Sequence, residues 1–217
     1  SQVAIFQVIS VSLLNFMLVK PELAGVFAQK CLNLTLQHGH CPLSCLSFLS
    51  YGMLRLQIGD IEAADKFGKL ALQSLEKHGS TEYLPRVYAA YYGMIQSWKH
   101  DIKDSLEPLM YAYNVGLQSG DYEYACLCLG CYCYNATECA TINEVVDICD
   151  DLQDHMVSHE QTKLLNMSVS FVVGLRLYLD FDGYKSISDA TQEMLRAGAS
   201  SPMNESEARK NCMVFCY

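Results

Sequence analysis

The chain has 217 residues, with 15 Lys/Arg against 24 Asp/Glu and a formal net charge of −9. This acidity, without any cluster of Lys or Arg, excludes the usual electrostatic footprint of a nucleic-acid or anionic-membrane binder. Hydrophobic residues make up 51% and charged residues only 18%, against about 25% charged in an average globular domain, so much of the surface is expected to be covered by the chain itself or by neighbours.

Periodicity and stop signals predict helices throughout and no strand. The first spans residues 2–19. Residues 3–19 are apolar but interrupted by Gln7, Ser10, Ser12 and Asn15, and 17 residues is the short limit for a membrane span, so a buried core helix is expected. Pro21 suits the first turn of a second helix that runs to about His38 and stops at Gly39. A second pair covers residues 42–57 and 61–77, with Gly59-Asp60 as its turn, Asp60 as N-cap and Gly79 as terminator. A third covers 82–98 and 102–118, capped at Asp101 and ended by Gly120. The fourth covers 122–136 and 142–157, and its second helix opens on the capping-box pattern Thr141-Ile142-Asn143-Glu144. A fifth covers 160–179 and 187–197, and a last helix starts near Asn204.

Residues 51–80 align with residues 92–121 at an offset of 41 without a gap. Tyr51-Gly52-Met53-Leu54 falls on Tyr92-Gly93-Met94-Ile95, Asp60-Ile61 on Asp101-Ile102, Ala71 on Ala112 and Gly79 on Gly120. Such a period is the mark of stacked helical hairpins. Glycine inside a helix costs about 1 kcal/mol relative to alanine, so Gly52 and Gly93 mark close backbone approaches. Counting Gly52 as the eighth residue of a tetratricopeptide repeat puts Ala64 and Ala71 on that repeat's two small positions. Gly68 stands where an aromatic is usual. The expected fold is all-α, a tetratricopeptide-like α-solenoid of about five hairpins, with Tyr51, Gly52, Ala64, Ala71, Tyr92, Gly93 and Ala112 as its repeat-packing residues. Residues 1–217 read as one solenoid segment. The apolar run 212–217, where a solenoid end would carry a polar cap, predicts a piece of a longer chain.

Eleven cysteines read as reduced, buried, small hydrophobes of a cytoplasmic protein. Cys126, Cys128, Cys131 and Cys133 would suit a zinc or iron–sulfur centre on an extended loop. On a helix, at about 100° per residue, two face one way and two the other, so no metal is expected. His38, His40, Cys41 and Cys45 read as a helix–helix turn. His155 and His159 share a face, but without the glutamate of a zinc-protease motif. Asp147, Asp150, Asp151 and Asp154 read as a solvated face. Phosphate-binding loops, kinase motifs and nucleophile elbows are missing, so no catalytic residue and no cofactor is assigned. The sequons at Asn33, Asn135, Asn166 and Asn204 read as chance matches.

At Tyr51-Gly52, Gly59-Asp60 and Phe67-Gly68-Lys69-Leu70-Ala71-Leu72 the chain resembles the helical region of very large signalling proteins. Those proteins combine a serine/threonine kinase-like domain, an AAA-type ATPase, a tetratricopeptide-like region, a GAF domain and often a histidine kinase. Further matches are His38-Gly39, Trp98-Lys99-His100-Asp101 and Ser119-Gly120-Asp121-Tyr122-Glu123-Tyr124-Ala125. The resemblance spans roughly residues 21–179, and the cysteine-rich stretch after Ala125 departs from it. It implies a non-enzymatic module that couples an ATPase to signalling domains, with neighbouring domains or other proteins as partners. An alternative is a small-molecule or peptide sensor using Tyr88, Tyr91, Tyr92, Trp98, Tyr111 and Tyr113. A free-standing scaffold is a third.

Overall fold

The computed structural model describes residues 21–79 and 81–159. The predicted helices over 2–19, 160–179, 187–197 and from Asn204 lie outside the described residues. Among the described residues every regular element is helical and none is a strand, so the fold is all-α. Seven α-helices follow in order. They are α1 (Pro21–His38), α2 (Ser44–Gln57), α3 (Ile61–His78), α4 (Leu84–Ala90), α5 (Leu106–Ser119), α6 (Tyr122–Ala136) and α7 (Ile142–Ser158).

The second and third hairpins turn by matched devices. Asp60 Oδ1 accepts the Ala63 amide at 3.0 Å, and Asp101 Oδ1 accepts the Lys103 amide at 3.0 Å. Each satisfies an amide that the helix start leaves unpaired. Arg55 reaches forward to the Asp60 carboxylate, and Gln96, one repeat later, donates to the Asp101 carbonyl at 2.9 Å. Gly79 and Gly120 end α3 and α5 with φ of 59° and 78°, a left-handed conformation that carries no Cβ penalty in glycine. At α7, Thr141 and Glu144 close the predicted capping box. Glu144 Oε2 accepts the Thr141 amide at 2.9 Å, and the Glu144 amide donates to Thr141 Oγ1 at 3.4 Å. The bonds from Thr141 hold the Glu144 carboxyl below its ordinary value.

Two predicted helices are corrected. Residues 82–98 are not one α-helix. A 3-10 turn (Thr81–Tyr83) leads into α4, the chain widens into a π-helical turn (Tyr91–Ile95), and a second 3-10 turn (Gln96–Trp98) closes it. The π turn contains Gly93, where an added Cβ would lie 2.5 Å from Cys131 Sγ and 2.8 Å from Cys131 Cβ. The backbone therefore comes down directly onto α6, and a widened turn is the local adjustment that accompanies the approach. Residues 102–118 also begin irregularly, as a 3-10 turn (Ile102–Ser105) before α5. Pro108 has no amide to return to the Asp104 carbonyl, and its ring crowds that carbonyl, so a regular α-helix cannot begin as early as Ile102.

Packing follows the order of the chain. α1 lies on α2, α2 on α3, α5 on α6 and α6 on α7, while α4 touches α2, α3, α5 and α6. The seams around α4 and α5 contain Val87, Ile95 and Leu109, and the α6–α7 seam contains Val145 and Leu152, each at most 1% exposed. Full burial of such side chains contributes roughly 1.5–3 kcal/mol each. A surface ion pair such as Lys99–Glu62 contributes at most about 1 kcal/mol. The apolar seams, not the charge pairs, hold the hairpins together.

Candidate functional site

The described surface is concave where four elements meet. Leu72 and Glu76 lie one turn apart on α3, Leu84 and Tyr88 one turn apart on α4, Tyr92 follows in the π turn, and Tyr111 comes from α5. Together they line a groove of about 540 Å³. The rings of Tyr88 and Tyr92 are 5.1 Å apart at 68°, and those of Tyr88 and Tyr111 are 6.1 Å apart at 59°. Three phenols inclined in this way make an angled wall rather than a flat stack. Burial pushes the Tyr88 hydroxyl above its ordinary value, helped by Tyr92, Tyr111 and the Glu76 carboxylate. Burial raises Tyr92 as well. Tyr88 and Tyr92 therefore keep their protons, and the wall they form with Tyr111 stands beside the Glu76 side chain.

Tyr91 turns away from this groove. Its hydroxyl donates to Asp65 Oδ1 at 2.9 Å. Asp65 lies on α3 with a side chain only 3% exposed. Lys69 Nζ donates to Asp65 Oδ2 at 2.9 Å, and Lys99 Nζ stands 3.6 Å from the same oxygen while holding Glu62 at 2.6 Å. His100 Nε2 lies 3.0 Å from Asp65 Oδ1 and 3.2 Å from Lys69 Nζ. A buried carboxylate with this many donors is fully paired. Burial pushes the Asp65 carboxyl up, but the bonds from Lys69, Tyr91 and His100 outweigh it and hold the group at about 2.

The predicted residues divide between these places. Of the six aromatics, Tyr88, Tyr92 and Tyr111 meet in the groove and Tyr91 joins Asp65. Tyr113 is buried at 6% exposure, and Trp98 stands out at 63%. Of the repeat-packing residues, Ala64, Ala71 and Ala112 are fully buried. Gly52 faces the Ala64 carbonyl and Phe67 within its own hairpin, whereas Gly93 faces Cys131 of the next. The Tyr51 ring meets Phe67 edge-on at 4.6 Å. Tyr92 thus lines the groove where its counterpart Tyr51 packs inside a hairpin.

The cysteines of α6 diverge. Cys128 Sγ points to the Pro85 carbonyl at 3.3 Å, Cys131 Sγ lies 3.9 Å from the Ala89 carbonyl, and Cys133 meets Cys149 of α7. Among the described residues no three His, Cys, Asp or Glu side chains converge on a position for a metal ion. Burial pushes Cys126 to about 11 and Cys131 to about 12, so these groups are thiols, not thiolate nucleophiles, near neutral pH. Asn135, in a predicted sequon, is 1% exposed and donates to Ser105 Oγ at 2.8 Å and to the Tyr92 carbonyl at 3.3 Å. Among the described residues no helix is long and apolar enough to cross a membrane.

Sequence reasoning missed Asp65 and Glu76. Asp65 follows Ala64 and precedes Gly68 by three positions, which places it on the small-residue stripe of α3. That spacing was the available signal. Glu76 carried none, since its partners come from two other helices. No protein-family model, curated protein or solved structure matches the chain.

Proposed function

We propose that this chain is a tetratricopeptide-like α-solenoid segment that works without chemistry of its own, as a regulatory coupling and protein-interaction module of a multidomain signal-transduction protein. The observation that carries the reading is the pair of successive hairpins with matched caps, Asp60 with Asp101 and Gly79 with Gly120, joined through α4. A stack whose units touch mainly their neighbours bends as a whole, so closure of an adjoining domain can shift its population of states. The fused ATPase and kinase domains are what the resemblance implies.

Two measurements test it. An antibody to residues 44–136, used on a denaturing gel of the source cells, is expected to reveal a band on the order of 100 kDa or more. A band near 24.3 kDa overturns the multidomain reading. Deleting residues 44–136 from the native protein is expected to abolish regulated output while the flanking domains stay folded. Unchanged regulation overturns the coupling role.

The tyrosine-lined groove favours a second reading, a repeat that binds a peptide or small molecule. A ligand of the groove would raise the melting temperature in a dose-dependent way.

A further inference from the structure

The groove differs from an ordinary gap between helices in its chemistry. Its walls supply three phenol rings and the apolar side chains of Leu72 and Leu84, and among the described residues Glu76 is the one charged side chain that lines it. Among the described residues Glu76 takes part in no ion pair. Aromatic faces attract cations through their quadrupole, and a carboxylate beside them adds a point charge of the right sign. The whole chain carries a net charge of −9, which steers positive partners toward it.

The groove is also shallow on one side. Tyr111 is 54% exposed, and Gln73, Glu76, Gly79 and Thr81 are exposed at the rim. Small-molecule sites bury 70–90% or more of their ligand, and a groove open in this way does not. It suits one long side chain whose backbone stays outside. We propose that the groove receives a lysine or arginine side chain from a basic segment of a partner protein, with the alkyl stem along Leu72 and Leu84 and the cationic head between Glu76 and the rings of Tyr88, Tyr92 and Tyr111.

The inference rests on the ligand-binding reading of the groove, and the test separates the two. The full chain is titrated, with ring resonances of the tyrosines followed by NMR, with acetyl-Gly-Gly-Lys-Gly-Gly-amide, with the same peptide carrying norleucine in place of lysine, and with choline. The lysine peptide is expected to shift the groove tyrosines and saturate, and the norleucine peptide to bind about ten-fold more weakly or not at all. Glu76→Gln and Tyr111→Ala alter exposed side chains, so the melting temperature should hold. Each is expected to weaken the lysine peptide about 2- to 5-fold, the range of an exposed cation–π contact. Equal binding of the norleucine peptide keeps a ligand groove and overturns the cationic occupant. Choline binding without lysine-peptide binding overturns the partner segment in favour of a free ammonium compound. Binding unaffected by both substitutions overturns the site. No response to any of the three probes overturns the occupant and the ligand-binding reading together, and leaves the coupling role to the deletion experiment.

Discussion

The Tyr91 hydroxyl donates to Asp65 Oδ1 at 2.9 Å, and the Tyr91 ring occupies the space that a side chain at Gly68 would need. The contact joins α3 to the π turn of the following hairpin. It explains why position 68 is glycine: the Tyr91 ring supplied from the next hairpin fills the space a side chain there would need. One ring fills the gap, and its hydroxyl completes the shell of a buried carboxylate.

The pH dependence of stability follows from that shell. Asp65 is held at about 2 in the fold, against about 3.9 when unfolded. A carboxyl held below its unfolded value adds stability that is complete above about pH 4 and is lost as pH falls toward pH 2. The contribution is on the order of 2 kcal/mol. Asp65→Asn is therefore expected to lower the urea-unfolding free energy by about 2 kcal/mol at pH 7 and by much less near pH 2. A deficit of equal size at both pH values would show that the charge is not what matters. Lys69, Lys99, His100 and Tyr91 face the group, and Glu62 is tied to Lys99.

Glycines that look alike in sequence should respond differently to alanine. At Gly68 an added Cβ would fall 2.2 Å from Tyr91 Cδ2, and the ring cannot swing clear because it is 3% exposed and tethered to Asp65. At Gly52 the nearest atom is the Ala64 carbonyl oxygen at 3.2 Å. Overpacking costs about 1–3 kcal/mol, and alanine regains about 1 kcal/mol of helix propensity. Gly68→Ala should destabilise by about 1–2 kcal/mol and Gly52→Ala by less than about 1 kcal/mol. In a Tyr91→Ala background, Gly68→Ala should become neutral or stabilising. Chemical denaturation of the four variants reads this directly, and additivity of the Gly68 and Tyr91 changes would refute the contact.

Local devices were readable in the sequence and distant ones were not. Asp60, Asp101, Thr141, Gly79 and Gly120 act within four residues of themselves, so residue type and spacing identify them. The Tyr91–Asp65 bond spans 26 residues and depends on the π turn, which the spacing of apolar residues does not reveal, since a widened turn and an α-helix share nearly the same short-range pattern. The 41-residue offset placed Gly52 and Gly93 at equivalent positions, yet their neighbours differ because Cys131 has no counterpart under Gly52. Glu76 looked like any exposed helix charge until α4 and α5 brought tyrosines beside it.

Thiol chemistry should separate the described cysteines into two groups. Cys41 and Cys139 are half-buried, whereas Cys31, Cys45, Cys126, Cys128, Cys133 and Cys149 are buried. Cys131 is half-buried, but its thiol is pushed up to about 12, which starves it of thiolate. Iodoacetamide at neutral pH, followed by peptide mapping, is expected to modify Cys41 and Cys139 first. The other seven should react about a hundred-fold more slowly until denaturant is added. Early modification of Cys133 or Cys149 would show that the α6–α7 seam opens on its own.

Arg86 joins the third and fourth hairpins by shape as well as charge. Its Nε donates to Asp121 Oδ2 at 3.0 Å, and its guanidinium carbon lies 4.6 Å from the centre of the Tyr124 ring. Both charged side chains are mostly covered, at 25% and 17% exposure. A planar guanidinium can stack and donate sideways at once, whereas an ammonium on a flexible stem cannot do both. Arg86→Lys is expected to cost about 1 kcal/mol although the charge is kept, and Arg86→Met about 2 kcal/mol, because Asp121 then loses its partner in a partly buried position. In an Asp121→Asn background the Met substitution should cost roughly half as much. If lysine substitutes without loss in urea unfolding, the pairing is a point-charge contact and the stacked geometry over Tyr124 contributes nothing.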